Sequence, residues 1–483
     1  MKERIENIIN EFLKLCEIPH PSHYEEAIGD YLCRWGESHA LAVRRDDMGN
    51  VILDKPAAPG MEGAPITILQ AHMDMVCVAE AGVSYDPKVD PIHVIRTEST
   101  LSADGTSLGA DDGIGVAVAL DILADSSLAC GPIRAIFTVN EEDGMASMDM
   151  ESEYLQGNYL INLDWEAQGS LCNSCAGGDF FRFVRAAEWQ NVEDAYALRL
   201  KIDHLLGGHS GAEIHVGRTN AITALATALS LLRRKGFFFR VADFAGGQAP
   251  NAIPHSAEAV IVTDEEHFST MKRELKTYAA RWTESVGKAE PEAQFTVEKV
   301  ASPGKVLSQS FSDDLLRLLT VAPNGIHTMS PYVSGLVESS SNIGLVKLSD
   351  TLEVSDFARS SSALAAEQLD LQCASVAAFC GFALYCDNRT PGWSVNPKSR
   401  LVPMACKAYR ELTSEEMLVE PIHAGVECGA FALKNPKLDM ISIGPTLRDV
   451  HTPQETCDIP SVGVTAELVR HILDTIAREG THE

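Results

Sequence analysis

The chain has 483 residues, 45% of them hydrophobic, enough to build more than one core, so two or three folding units are expected. With 39 basic against 68 acidic residues it carries a formal charge of −29, which opposes binding to nucleic acid or to an anionic membrane surface. No apolar stretch approaches the roughly 20 residues that a membrane helix needs, and the opening Met1-Lys2-Glu3-Arg4-Ile5-Glu6 is not signal-like, so a cytoplasmic protein is expected.

Ile5, Ile8, Ile9, Phe12, Leu13 and Cys16 recur at helical spacing, and Ser22-His23-Tyr24-Glu25 reads as a capping box opening a second helix. A short apolar strand, Ile66-Thr67-Ile68-Leu69, then leads into Gln70-Ala71-His72-Met73-Asp74. Leu108-Gly109-Ala110 is a small-residue turn before Asp111 and Asp112, which stand at the start of a helical run, Gly113 to Ala124, where carboxylates suit the helix dipole. The Gly109, Gly113 and Gly115 spacing does not fit GxGxxG, and no Walker lysine follows, so a nucleotide loop is set aside. Arg134 to Asn140 forms a strand delivering Glu141 and Glu142, and Tyr159 to Leu163 forms one delivering Asp164. Cys172-Asn173-Ser174-Cys175 is the one CxxC among twelve scattered cysteines; without a second pair it reads as ordinary reduced thiols.

From about residue 185 the pattern changes to strands such as Ala197 to Ile202 and helices over Ala221 to Arg234 and Glu265 to Val286. A second block, about 300 to 392, offers a helix near Phe311 to Thr320, strands around Gly344 to Val354, and a long helix from about Leu364 to Leu384. Thr390-Pro391-Gly392 leads back to a helix-strand pattern from Arg400, in which Leu438 to Gly444 runs towards His451. The candidate ligands fall in the first and last segments. Residues 1–184 and 393–483 are therefore expected to form one catalytic domain interrupted by an insertion, 185–392, of two similar two-helix, antiparallel-sheet blocks.

In an open α/β sheet the carboxyl ends of the strands share one edge, so His72, Glu141, Glu142, Asp164 and His451 can converge there. Two residues apart on a strand, His72 and Asp74 face the same way, roughly 7 Å apart at the backbone. Asp74 can thus sit behind the imidazole, fix its tautomer and leave the other nitrogen for a metal. A carboxylate at Asp111 has two oxygens with which to bridge two ions, with neighbouring Asp112 competing for the role. Of Glu141 and Glu142, one can ligate while the other holds a water.

His72-Met73-Asp74, Gly109-Ala110-Asp111-Asp112-Gly113, Glu141-Glu142, Asn162-Leu163-Asp164, Gly207-Gly208-His209-Ser210-Gly211, Asn251-Ala252-Ile253-Pro254 and His451-Thr452-Pro453, in this order, resemble the aminoacyl-histidine dipeptidase (Xaa-His dipeptidase, cytosolic non-specific dipeptidase) branch of the dinuclear zinc peptidases related to carboxypeptidase G and aminoacylase. The resemblance spans nearly the whole chain. It implies an α/β catalytic domain with a central mixed sheet flanked by helices, interrupted by an α+β lid domain. It implies one zinc held by His72 and Asp164, a second by Glu142 and His451, Asp111 bridging both, and Glu141 as general base. His209 resembles the lid histidine that reaches the scissile carbonyl, Asn251 is a further substrate-binding candidate, and Arg359 is a candidate for the substrate carboxylate, which guanidinium binds bidentately. The implied activity is hydrolysis of unblocked dipeptides, with Xaa-His and β-alanyl-histidine among them. Removal of an acyl group from an N-acyl amino acid is the alternative, and a non-catalytic peptide-binding protein a more distant one. Two zinc ions are implied; cobalt or manganese is admitted by the same donors. A homodimer is compatible with all of this.

Overall fold

The computed structural model describes residues 1–193 and 195–480. The chain divides into two compact units, one of Met1–Cys175, Trp393–Pro421 and Val426 onward, the other of Ala176–Gly392 with Ile422–Gly425.

The first unit is built on a six-stranded sheet in the order Ala42–Arg45, Val51–Lys55, Ile133–Thr138, Thr67–His72, Tyr159–Asn162, Asp439–Ser442. The last four strands are mutually parallel and the first three antiparallel, so the sheet is mixed. Every residue of Thr67–His72 is buried, as befits a strand covered on both faces. Helix Ala110–Ala124 packs against it and is apolar almost all round, the pattern of a helix enclosed by its own core. Helix Lys2–Cys16 lies against the same helix, and its Phe12 is 1% exposed. A Cβ at Gly113 would stand 3.0 Å from the Phe12 ring, so the glycine lets the two helices approach. Truncating Phe12 to alanine there would cost about 3–5 kcal/mol.

Ser22 does not cap the second helix. That helix, Glu26–Ser38, has no side-chain cap; Ser22 Oγ instead donates to Asp74 Oδ2 at 2.7 Å. A hydroxyl bonded to a buried carboxylate gains more than one bonded to an exposed helix N–H, so the site outbids the cap.

The second unit is a nine-stranded antiparallel sheet. Its main path runs Gln294–Val300, Tyr196–Asp203, Ala257–Thr263, Arg240–Gly246, Val337–Leu348, Thr351–Ser360, Gly177–Ala186, Ala383–Thr390, with Gly325–Met329 joining Val337–Leu348. The two blocks read from the sequence are thus fused edge to edge, through the register pair Gly246 and Val346. Helices Ala221–Arg234, Glu265–Val286, Gln309–Val321 and Ala363–Cys380 begin at Asn220, Asp264, Ser308 and Ser362, each of which accepts a first-turn backbone N–H. The last helix was expected to run to about Leu384 and ends four residues earlier. Gly381 adopts φ 73°, and the Phe382 N–H returns to the Ala377 carbonyl, the left-handed stop that glycine favours. Ala383–Thr390 then turns outward as an edge strand.

Candidate metal centre

Because four adjacent strands of the first unit run parallel, their carboxyl ends deliver side chains to one edge. His72 ends one strand, Glu141 and Glu142 follow Ile133–Thr138, Asp164 follows Tyr159–Asn162, and His451 follows Asp439–Ser442 on a longer loop. Asp111 enters from the start of helix Ala110–Ala124. His72 Nε2 lies 3.1 Å from Asp111 Oδ1 and 3.5 Å from Asp164 Oδ1. His451 Nε2 lies 3.1 Å from Asp111 Oδ2 and 2.9 Å from Glu142 Oε1. The two oxygens of Asp111 therefore face different histidines. Three sets, His72–Asp111–Asp164, Asp111–Glu142–His451 and His72–Glu141–Glu142, each present ligand atoms within 4.8 Å of one another.

This donor set fits divalent ions. Tetrahedral zinc with bonds of about 2.0–2.1 Å has ligand–ligand edges of about 3.3 Å, and the observed separations of 2.9–3.5 Å bracket that value. The donors are imidazole and carboxylate only, which suit zinc, cobalt and manganese alike. Four carboxylates around two histidines leave negative charge in excess. Burial pushes Glu141 up to about 8, with Glu427, Glu142 and Asp111 adding to the effect against the pull of His72. Burial likewise drives Asp164 up. Burial opposes a charged His72, yet Asp164, Asp111 and Asp74 hold it well above the usual imidazole range. Hydrogen bonds to Asp111 and Glu142 bring His451 up to about 10. Without ions the histidines are the counter-charges, and a metal must displace their protons.

The supporting contacts are only partly those expected. His72 Nδ1 is 2.9 Å from the Asp74 backbone carbonyl and 3.5 Å from its Oδ1, so the backbone oxygen is the nearer partner that orients the ring. The Asp74 carboxylate accepts from Ser22 Oγ and from the N–H groups of Glu141 and Glu142, at 3.0 and 3.2 Å, and so holds the loop that carries both glutamates. Asp112 turns the other way, its oxygens accepting from the N–H groups of Gly115 and His72. Sequence reasoning missed Glu455. Its carboxylate accepts from the N–H groups of Leu108, Gly109, Ala110 and Asp111, at 2.8 to 3.3 Å, and shapes the turn that presents Asp111. An acid four residues after His451 was the available signal.

The second unit gathers a different set. His209 pairs with Ala252 across a two-residue ladder that also sets Asn251, which is exposed, beside it: the Ser210 N–H donates to the Asn251 carbonyl at 2.9 Å. His209 Nδ1 accepts from the N–H groups of Gly211 and Ala212, at 3.3 and 2.9 Å, so the neutral ring carries its proton on Nε2. Burial, then Arg359, lowers its pKa and favours that neutral form. Arg359 is 7% exposed, stacks 4.4 Å from the Phe357 ring centroid, and its Nε has no hydrogen-bond partner among the described residues. Burial pulls its pKa down to about 10. A buried guanidinium without a carboxylate is costly and calls for an anion. His423, which the sequence reading passed over, is also buried; its Nε2 meets Ser340 Oγ at 2.7 Å, and Ser340 is the cross-strand neighbour of Arg359. A Cβ at Gly211 would stand 2.5 Å from the His423 carbonyl, 2.9 Å from Arg359 Nε and 3.0 Å from His209 Cε1, so all three converge on that glycine.

A mixed sheet with histidines and carboxylates at its carboxyl edge, and one aspartate facing two histidines, is a donor set suited to divalent ions, as a metal-dependent hydrolase requires. The comparisons give the family. The profile of Peptidase family M20/M25/M40 matches residues 68–475, and the chain belongs to that family. It is 34% identical over 468 residues to the cytosol non-specific dipeptidase of Escherichia coli (strain K12), covering 96% of each chain. The crystal structure of aminoacylhistidine dipeptidase from Vibrio alginolyticus superposes with a TM-score of 0.92 at 32% identity, over 97% of this chain and 96% of that one. A tripeptidase from Staphylococcus aureus shares the fold at 17% identity, with a TM-score of 0.55 over 98% of this chain and 99% of that one. Among the described residues no helix is long and apolar enough to cross a membrane.

Proposed function

We propose that the chain hydrolyses the peptide bond of unblocked dipeptides, Xaa-His and β-alanyl-histidine among them, with two divalent ions, zinc in the first place, at the His72–Asp111–His451 cluster. The observation that carries this reading is Asp111, whose Oδ1 and Oδ2 each stand 3.1 Å from a different histidine nitrogen. His72 and Asp164 would hold one ion, Glu142 and His451 the other, with Asp111 shared between them. When bound, such ions polarise a carbonyl and lower the pKa of water to about 7.

Glu141 takes the proton of the attacking water and passes it to the leaving amine. Asp74 holds the Glu141–Glu142 loop through two backbone N–H groups and keeps both acids in place. His209 donates its Nε2–H to the oxygen on which charge develops, Asn251 assists, and Arg359 binds the C-terminal carboxylate. The cytosol dipeptidase relative supports the substrate class and a cytosolic setting. The lid role of 185–392 belongs to the same proposal.

Metal analysis of purified protein, followed by turnover on matched free and N-acylated dipeptides, tests it. Two ions per chain and cleavage confined to free dipeptides is the expected result; preference for the N-acylated series would transfer the chain to amidohydrolysis.

A further inference from the structure

The central strands of the first unit carry an unusual row. Thr138, Gln70, Asn162 and Ser442 lie on four adjacent parallel strands, all fully buried or nearly so, and Gln70, Asn162 and Ser442 are direct register partners. Ser442 Oγ donates to Asn162 Oδ1. Asn162 Nδ2 donates to Gln70 Oε1 at 2.6 Å, and Gln70 Nε2 donates to Thr138 Oγ1 at 3.1 Å and to Glu427 Oε2 at 2.5 Å. Thr138 Oγ1 also donates to Glu427 Oε2, at 2.9 Å. Every donor points the same way, and the relay ends on a carboxylate that is 0% exposed.

The row stands one pleat behind the metal ligands. Gln70 shares a strand face with His72, two residues on. Asn162 Oδ1 accepts the backbone N–H of Asp164 at 3.4 Å, and Thr138 is the register partner of His72 at the end of the strand that delivers Glu141 and Glu142. An apolar row would fill these positions with less desolvation, whereas a hydrogen-bonded buried polar network rigidifies the strands it joins.

We propose that Glu427 is a positioning residue of the metal centre: as terminal acceptor of the relay it locks the carboxyl ends of four strands in one alignment and so sets the spacing of His72, Asp164 and the Glu141–Glu142 loop. The inference rests on the metal-centre reading above. Burial also pushes Glu427 up to about 7, against the pull of the His72 charge and of hydrogen bonds that include Thr138's. A role confined to stability would make any well-folded substitute equivalent; a positioning role requires an acceptor at Oε2.

The test uses the full chain as Glu427→Ala, Glu427→Gln and Thr138→Val, with two readouts: competition for zinc against a chromophoric chelator, and kcat and KM on a free dipeptide. Supporting contacts of this kind are worth about 10–100-fold in metal affinity or activity, and Glu427→Ala is expected to lose zinc affinity and kcat in that range with KM within about threefold. Glu427→Gln, whose carbonyl can accept the same two donors, is expected to recover both to within about threefold of the parent. Thr138→Val, which removes one donor without changing shape, should lower zinc affinity in the same direction and by less. Wild-type zinc affinity in Glu427→Ala, or a Glu427→Gln protein as impaired as the alanine variant, overturns the proposal; should Glu427→Ala fail to fold, unchanged affinity in Thr138→Val does so. A parent chain that binds two zinc ions yet cleaves no dipeptide would instead defeat the functional reading, and the zinc competition would still judge Glu427.

Discussion

The two units gather unlike groups at their candidate sites. The first holds Asp111, Glu141, Glu142 and Asp164 around two histidines; the second holds Arg359 with its Nε unpartnered. Elsewhere several part-buried arginines in the same units are paired with carboxylates. Arg4 reaches Asp121, Asp125 and Glu467, and Arg185 reaches Asp314 and Glu188. The donor sets therefore differ: imidazoles and carboxylates in the first unit, a guanidinium in the second.

The sharpest way to strain this contrast is to remove chemistry from the acidic unit while keeping its ions. Glu141→Gln is expected to retain two metals and lower kcat by at least the roughly 10²–10⁴-fold that general acid–base catalysis contributes. Metal analysis with steady-state kinetics checks it; near-normal turnover with both ions bound removes Glu141 from the mechanism. The second unit should fail differently. Arg359→Ala deletes charge-assisted bonds worth about 1.5–3 kcal/mol, so KM should rise by roughly 10–100-fold with kcat little changed. A fall in kcat at constant KM would mean that Arg359 serves the reaction rather than the substrate's end.

A smaller effect separates the units by pH, in metal-free protein. His451 is raised to about 10, so its contribution to stability is full below the unfolded value near 6.5 and is lost as pH climbs towards 10. His423 is lowered to about 4, chiefly by burial and then by Arg359, so its contribution is present above 6.5 and is lost as pH falls towards 4. Denaturant unfolding should show His451→Gln flattening the alkaline limb and His423→Gln the acidic limb. The same limb moving in both variants would break the comparison.

Much of this was legible in the sequence because it is local. The strand-end positions of His72, Glu141, Glu142 and Asp164 follow from apolar runs stopping at charged residues, and the family resemblance together with the Gly109-Ala110 turn pointed to Asp111 rather than Asp112, which turns to accept from Gly115 and His72. Helices Ala221–Arg234 and Glu265–Val286 were bounded by their own caps. What stayed hidden depends on distant partners. Ser22 looks like a cap until Asp74, 52 residues away, claims its hydroxyl. Glu455 and Glu427 act on residues more than 280 positions distant; only its place four residues after His451 hinted at Glu455, and no local pattern marks Glu427 as the acceptor of a remote relay. His423 lies in a four-residue excursion, Ile422–Gly425, whose membership of the second unit only the folded chain reveals.

The central claim is that Asp111 joins two ions in one centre. Metal content of Asp111→Ala and Asp112→Ala, each dialysed against the same free zinc concentration as the parent, tests it most directly. The account expects two ions in the parent, loss of both together in Asp111→Ala, and at least one retained in Asp112→Ala. Two ions retained by Asp111→Ala, or both sites emptied by Asp112→Ala instead, would contradict it.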